Sequence, residues 1–139
     1  MRNDKRDFFY FSITIAFFLI AVSAFSSFQR NGIWATEYSL WKDSTSKSPL
    51  KPRPHENLGN YFREQNRYDE AILEYSIIVD LDSTYDAVYD GFFFMARTLD
   101  KSGDRYQAII CYSVICEYAP PKFQRAKDLA CEGAYRLSR

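Results

Sequence analysis

The chain has 139 residues, 18 of them basic and 18 acidic, so its formal net charge is zero and nothing in the balance points to the cationic face that a phosphate backbone needs. That length suits one small domain with an appendage. A single histidine and three cysteines without a CxxC pair leave no ligand set for an ordinary zinc site, and neither metal nor cofactor nor nucleic acid is expected as a partner.

Met1 to Asp7 is polar, with Arg2, Lys5 and Arg6 against Asp4 and Asp7. Phe8 to Phe28 then carries no charge. As a helix this run rises about 31 Å, the thickness of a bilayer's hydrocarbon core. Its serines and Thr14 can return their hydroxyls to backbone carbonyls. Gln29 and Arg30 end the run, and Trp34 lies at interfacial distance. Residues 1–30 therefore read as a short cytoplasmic tail and a transmembrane anchor, in contact with lipid through residues 8–28. Val22-Ser23-Ala24 gives the alternative of a signal peptide cut after Ala24, against which the apolar run is long and continues to Phe28. A buried core helix is the third reading. Anchor and signal both send the remaining residues, about 110, to the non-cytoplasmic side.

Residues 33–48 place Trp34, Glu37, Tyr38, Leu40, Trp41 and Ser44 at helical spacing. Pro49, Pro52 and Pro54 forbid its continuation. An interfacial membrane helix is the competing reading of this stretch.

From residue 57 the pattern is more specific. Asn57-Leu58-Gly59-Asn60-Tyr61-Phe62 is followed by Asn66-Arg67-Tyr68-Asp69-Glu70-Ala71-Ile72, then Tyr75, Ile78 and Leu81. Small Gly59 and Ala71 allow close helix approach, and Asn66 suits a left-handed turn. This stretch resembles a tetratricopeptide repeat, the helix–turn–helix unit that stacks at about 34 residues. The resemblance implies a full repeat over 52–85 and a second over 86–120. In the second, Ala96, Gly103, Ala108, Tyr112 and Ile115 stand for Gly59, Asn66, Ala71, Tyr75 and Ile78. Their spacing of 37 exceeds the period by three, which lengthens the helix after Asp86, with Ser83 expected to cap it and Asp86 as capping-box partner. Residues 33–49 become a half repeat and residues 122–137 a capping helix. The expected fold is all-α: one N-terminal transmembrane helix, then a tetratricopeptide-repeat-like α-solenoid of about six helices over 31–139.

The order of apolar span, Arg30-Asn31, Trp34, Glu37, Leu40-Trp41, Asp43, Lys47-Ser48-Pro49, Arg53-Pro54-His55 and Asn57-Leu58-Gly59 is similar to the junction between the last membrane helix and the repeats of transmembrane-and-tetratricopeptide-repeat O-mannosyltransferases. Those proteins keep catalysis in many preceding spans, which this one-span chain lacks, so the resemblance transfers no catalytic residue. No nucleophile elbow, phosphate loop or carboxylate pair is present either, and no enzyme is expected.

In tetratricopeptide repeats the concave groove is lined by the first helix of each pair. Carried over, that implies Arg53, Glu56, Asn60, Arg63 and Glu64, then Asp90, Phe93, Arg97, Asp100 and Lys101, then Gln124, Lys127, Cys131, Ala134 and Tyr135. The expected partner-binding residues are Arg53, Asn60, Arg63, Phe93, Arg97, Lys101 and Lys127, against the bland reading of a solvated mixed-charge face. Asn60 matches the clamp asparagine of chaperone-binding repeats, whereas Glu56 stands where that clamp has lysine. Phe92-Phe93-Phe94-Met95 surrounds one helix, so at least one ring should leave the core. Buried free thiols are the favoured state of Cys111, Cys116 and Cys131, with a Cys111–Cys131 or Cys116–Cys131 bridge as the oxidised alternative. His55 reads as a first-turn helix residue.

These expectations add to a membrane-anchored adaptor, scaffold or accessory subunit whose partners are membrane-associated proteins. The alternative is a non-catalytic subunit presenting protein substrate to a membrane glycosyltransferase on another chain.

Overall fold

A computed structural model describes residues 4–139, with side chains described from Phe9 onward apart from Arg30 and Ile33. The charged side chains at positions 2–7 behind the topology expectation, and those of Phe8 and Arg30 at the ends of the apolar run, lie outside the described residues. Among the described residues there are seven α-helices and no strand. They divide into two compact units, Met1–Leu40 and Trp41–Arg139.

In the first unit α1 (Asp4–Ile33) contains a 21-residue segment, Phe9–Gln29, long and apolar enough for a membrane span or a signal sequence. None of that segment is buried, which removes the core-helix reading. The Thr14 hydroxyl donates to the Phe11 carbonyl at 2.8 Å, returning its polarity to the backbone as expected. Helix α1 runs past Gln29 to Ile33, because polar residues end an apolar run without breaking helical hydrogen bonds. Helix α2 (Glu37–Lys47) is correspondingly shorter than the 33–48 expected. Thr36 and Ser39 cap it reciprocally: Ser39 N–H donates to Thr36 Oγ1 at 3.1 Å, and Thr36 N–H to Ser39 Oγ at 3.2 Å.

The second unit holds α3 (Pro52–Glu64), α4 (Tyr68–Leu81), α5 (Ala87–Ser102), α6 (Arg105–Tyr118), a 3₁₀ turn at Pro121–Phe123 and α7 (Gln124–Leu137). Sequence neighbours pack most heavily, α3 on α4, α5 on α6 and α6 on α7, with α4 and α3 meeting α5 more lightly. One core runs through them, with Leu58, Ala71, Ile78, Val88, Phe92, Met95, Ala96, Ala108, Ile115 and Ala130 all inaccessible to solvent. Trp41 packs half-buried against it.

Two turns share one construction. Asn66, with φ 57°, and Gly103, with φ 91°, both adopt left-handed geometry 37 residues apart. At the first, Asn66 N–H donates to Arg63 and Arg67 N–H to Phe62; at the second, Gly103 N–H donates to Asp100 and Asp104 N–H to Leu99. Both are Schellman closures, which satisfy carbonyls the helix leaves open. Helix α5 has 16 residues against 13 for α3, in line with the longer spacing.

Two expectations are corrected. Ser83 does not cap α5, because the helix starts at Ala87 and its cap position is Asp86. Asp82 instead closes the turn, its carboxylate accepting from Thr84 N–H at 2.9 Å and from Thr84 Oγ1–H at 2.6 Å, which lowers its pKa. The cysteines are not all free: Cys116 and Cys131 form a disulfide with 5.0 Å between Cα atoms, and Cys111 stays a buried thiol. Five residues rotate a helix by about 140° beyond a full turn. Cys111 therefore faces the core while Cys116 meets α7.

Candidate partner-binding groove

Two tyrosines set the spacing of α3, α5 and α7. Tyr75, on α4, sits between two glycines: a Cβ at Gly59 of α3 would lie 2.5 Å from its Cε1, and one at Gly91 of α5 would lie 2.6 Å from its Cε2. Its hydroxyl donates to Asn60 Oδ1 at 2.6 Å, and its ring meets Phe92 edge-on at 5.6 Å. Tyr112, on α6, has the same role in the following helix pair, with a Cβ at Gly133 of α7 only 3.0 Å from its Cε2. Burial, then the charge of Asp100, raises the Tyr112 pKa.

This spacing opens two cavities on the α5 face. The larger, about 430 Å³, is lined by Phe93, Arg97, Tyr112, Leu129, Glu132, Gly133 and Arg136. The other, about 370 Å³, is lined by Asp90, Phe93, Phe94, Arg97, Thr98 and Lys101. Phe93 and Arg97 belong to both and form the ridge between them. The Arg97 guanidinium lies 5.9 Å from the Phe93 ring centroid, within cation–π range. Phe94 is 55% exposed while Phe92 and Met95 are fully buried, so the aromatic run does send a ring out of the core.

Of the expected residues, the structure brings Phe93, Arg97 and Lys101 together. Arg63 stands beside them, 5.3 Å over the Phe94 ring. Asn60 is held by Tyr75. Arg53 is exposed and lines neither cavity. Lys127 is drawn to the end of α6, where its ammonium donates to the carbonyls of Ala119 at 3.3 Å and Glu117 at 3.4 Å. Cations stabilise helix C-termini in this way. Glu56 accepts from the Tyr85 hydroxyl at 2.5 Å, and this bond pushes the Tyr85 pKa up to about 12. Asp100 pairs with Arg136, and Cys131 is in the disulfide. Glu64 and Gln124 are exposed, Gln124 bonding Asp128, while Ala134 packs on the core and Tyr135 lies under Arg139.

Sequence reasoning missed the α7 wall of Leu129, Glu132 and Arg136. Gly133 was the available signal, since a glycine inside a helix usually has a packing reason, here the close approach of Tyr112. It also missed the buried pair His55 and Glu74. His55 Nδ1 lies 2.7 Å from Glu74 Oε2, and its Nε2 lies 3.0 Å from the Pro49 carbonyl. A carbonyl only accepts, so Nε2 carries a proton. Both ring nitrogens are engaged, and the imidazole ties the proline segment to α3 and α4. The positions 37 residues on are Phe92 and Cys111, both fully buried and apolar.

Among the described residues no group of three His, Cys, Asp or Glu side chains is placed to hold a metal ion. No protein-family model, curated protein or solved structure matches the chain.

Proposed function

We propose that this chain is a membrane-anchored, non-catalytic adaptor of the tetratricopeptide-repeat kind. Residues 8–28 hold it in a bilayer, and the α5 face takes a segment of a membrane-associated protein. The observation that carries this reading is the Phe93–Arg97 ridge between two cavities, a half-buried aromatic beside an exposed cation on a helix otherwise packed on both sides. Arginine and aromatic side chains are the usual anchors of protein interfaces. The repeat assignment is supported by the paired Schellman turns and by buried Ala71, Tyr75 and Ile78 recurring as Ala108, Tyr112 and Ile115. The Cys116–Cys131 disulfide supports a non-cytoplasmic location for 41–139, because such bonds persist in oxidising compartments. Confinement to the membrane plane raises the local concentration of a membrane partner, so a modest groove suffices.

The test is co-purification from membranes in mild detergent, with a photo-cross-linker at Phe94. A discrete protein cross-linked at that position, and lost in Phe93→Ala/Arg97→Ala, is the expected result. Cross-links that ignore the double substitution would overturn the reading. A stoichiometric many-span glycosyltransferase as the captured protein would shift the role to substrate presentation.

A further inference from the structure

We infer that the groove takes a segment whose charge order opposes that of α5: acidic opposite Arg97 and Lys101, apolar over Phe93 and Phe94, basic opposite Asp90. This rests on the adaptor reading and specifies the partner's chemistry. Asp90, the adjacent pair Phe93 and Phe94, Arg97 and Lys101 are linked by three- and four-residue steps (90 to 93 and 94, these to 97, 97 to 101), so they share one side of α5. At about 1.5 Å per residue the stripe from Asp90 to Lys101 is about 16 Å long.

The charges on it are open. Asp90, Arg97 and Lys101 form no ion pair with any described residue, whereas neighbouring Asp100 and Arg136 pair with each other. Asp90 in the first turn and Lys101 in the last suit the dipole of α5. Arg97, in mid-helix, has no such reason to be there, and it faces both cavities. A guanidinium beside an aromatic ring accepts a carboxylate bidentately while the ring takes the adjoining apolar group. Arg63 over Phe94 adds a second cation next to the apolar centre. Opposite signs at the two ends give a ligand one favourable direction, since like charges placed together are strongly disfavoured. The cavities on either side of the ridge each accept one large side chain. The fitting occupant is thus about three helical turns, or about five extended residues, with an acidic end, two apolar side chains and a basic end.

The experiment uses the full chain in detergent micelles and fluorescent peptides of about twelve residues, read by anisotropy. One peptide has an acidic end, a Leu-Phe centre and a basic end; a second is its composition-matched scramble. The ordered peptide is expected to bind about tenfold tighter than the scramble. R97E/K101E should remove that advantage, and a peptide whose acidic end is replaced by lysines should restore it. D90K should behave likewise toward a peptide whose basic end is replaced by glutamates. These side chains lie on the surface, and unchanged helical circular dichroism checks that the variants fold. Absence of binding, equal binding of the scramble, or reversal without rescue would each overturn the inference. If those results coincide with a membrane cross-link at Phe94 that still depends on Phe93 and Arg97, the charge order fails while the adaptor reading stands. Loss of both removes the two together.

Discussion

A methyl group added at Gly91 would lie 2.6 Å from Cε2 of Tyr75 and 3.0 Å from its hydroxyl. The ring cannot swing away: Tyr75 is 1% exposed, bonded to Asn60 and packed against Phe92. Alanine would gain about 1 kcal/mol of helix propensity over glycine, whereas overpacking costs about 1–3 kcal/mol. Gly91→Ala should therefore lower stability by about 1 kcal/mol or more in urea unfolding, and the loss should shrink when Tyr75→Leu is already present. An unchanged midpoint would mean that α5 can shift away from α4. The Gly59 side of this wedge was legible, because glycine there belongs to the repeat pattern; Gly91 lies outside that pattern and only the packed tyrosine reveals it. Titration gives a second residue-scale outcome. Tyr75, through burial, and Tyr85, through its bond to Glu56, rise from 10.0 to about 12, and burial takes the Cys111 thiol from 9.0 to about 12. The folded chain keeps these protons to higher pH than the unfolded chain, so unfolding releases them in alkali. Their contribution should be complete below pH 9 and fall as pH rises from there to about 12. Phenolate absorbance should accordingly rise in two stages, the late one coinciding with loss of helix. A single stage near pH 10, with the helices intact, would contradict it.

At the scale of elements, what could be read from the chain was local. Asn66 and Gly103 announce their turns because left-handed geometry suits few residues, and Pro49, with Pro52 and Pro54 in the first turn of α3, forbids a longer α2. The start of α5 was less legible, since Asp82, Ser83 and Asp86 are all competent caps and only the path of the chain selects among them. Helix α7 was legible as a helix but not as a wall. Which of its sides meets α5 depends on how Tyr112 seats against Gly133 and on Cys131 reaching Cys116, contacts between segments far apart in helical phase. That disulfide closes a 15-residue separation, for which loop-closure entropy gives about 3 kcal/mol. The remaining polar ties between α6 and α7 are few: Arg105 donates to the Leu137 carbonyl at 2.6 Å, and Lys127 reaches the last carbonyls of α6. Reduction should therefore raise amide exchange over 124–137 first and weaken the cavity α7 encloses, while α3 and α4 keep their protection. Exchange that rises equally in every helix would mean the unit opens all at once, and exchange unchanged in α7 would mean that packing alone holds it.

For the whole molecule the decisive question is what α1 does to the location of everything after it. None of its apolar segment Phe9–Gln29 is buried, and covering it in a bilayer would remove that apolar surface from water. The disulfide beyond it is the second fact, because a cytosolic chain would be held reduced. On the proposed orientation, anchor and cleaved signal agree on the compartment and differ in what remains attached. Alkaline carbonate extraction of membranes should leave the chain in the pellet, and peptide mapping should find the bond after Ala24 intact. Thiol alkylation before lysis should leave Cys116 and Cys131 unmodified until reductant is added, with Cys111 unreactive until the chain unfolds. A soluble product cut after Ala24, with the same disulfide, would keep the compartment and remove the anchor, and with it the effective concentration on which a modest groove depends. Free Cys116 and Cys131 in a full-length, membrane-bound chain would reverse the topology, because only a reducing side leaves two cysteines with Cα atoms 5.0 Å apart unjoined.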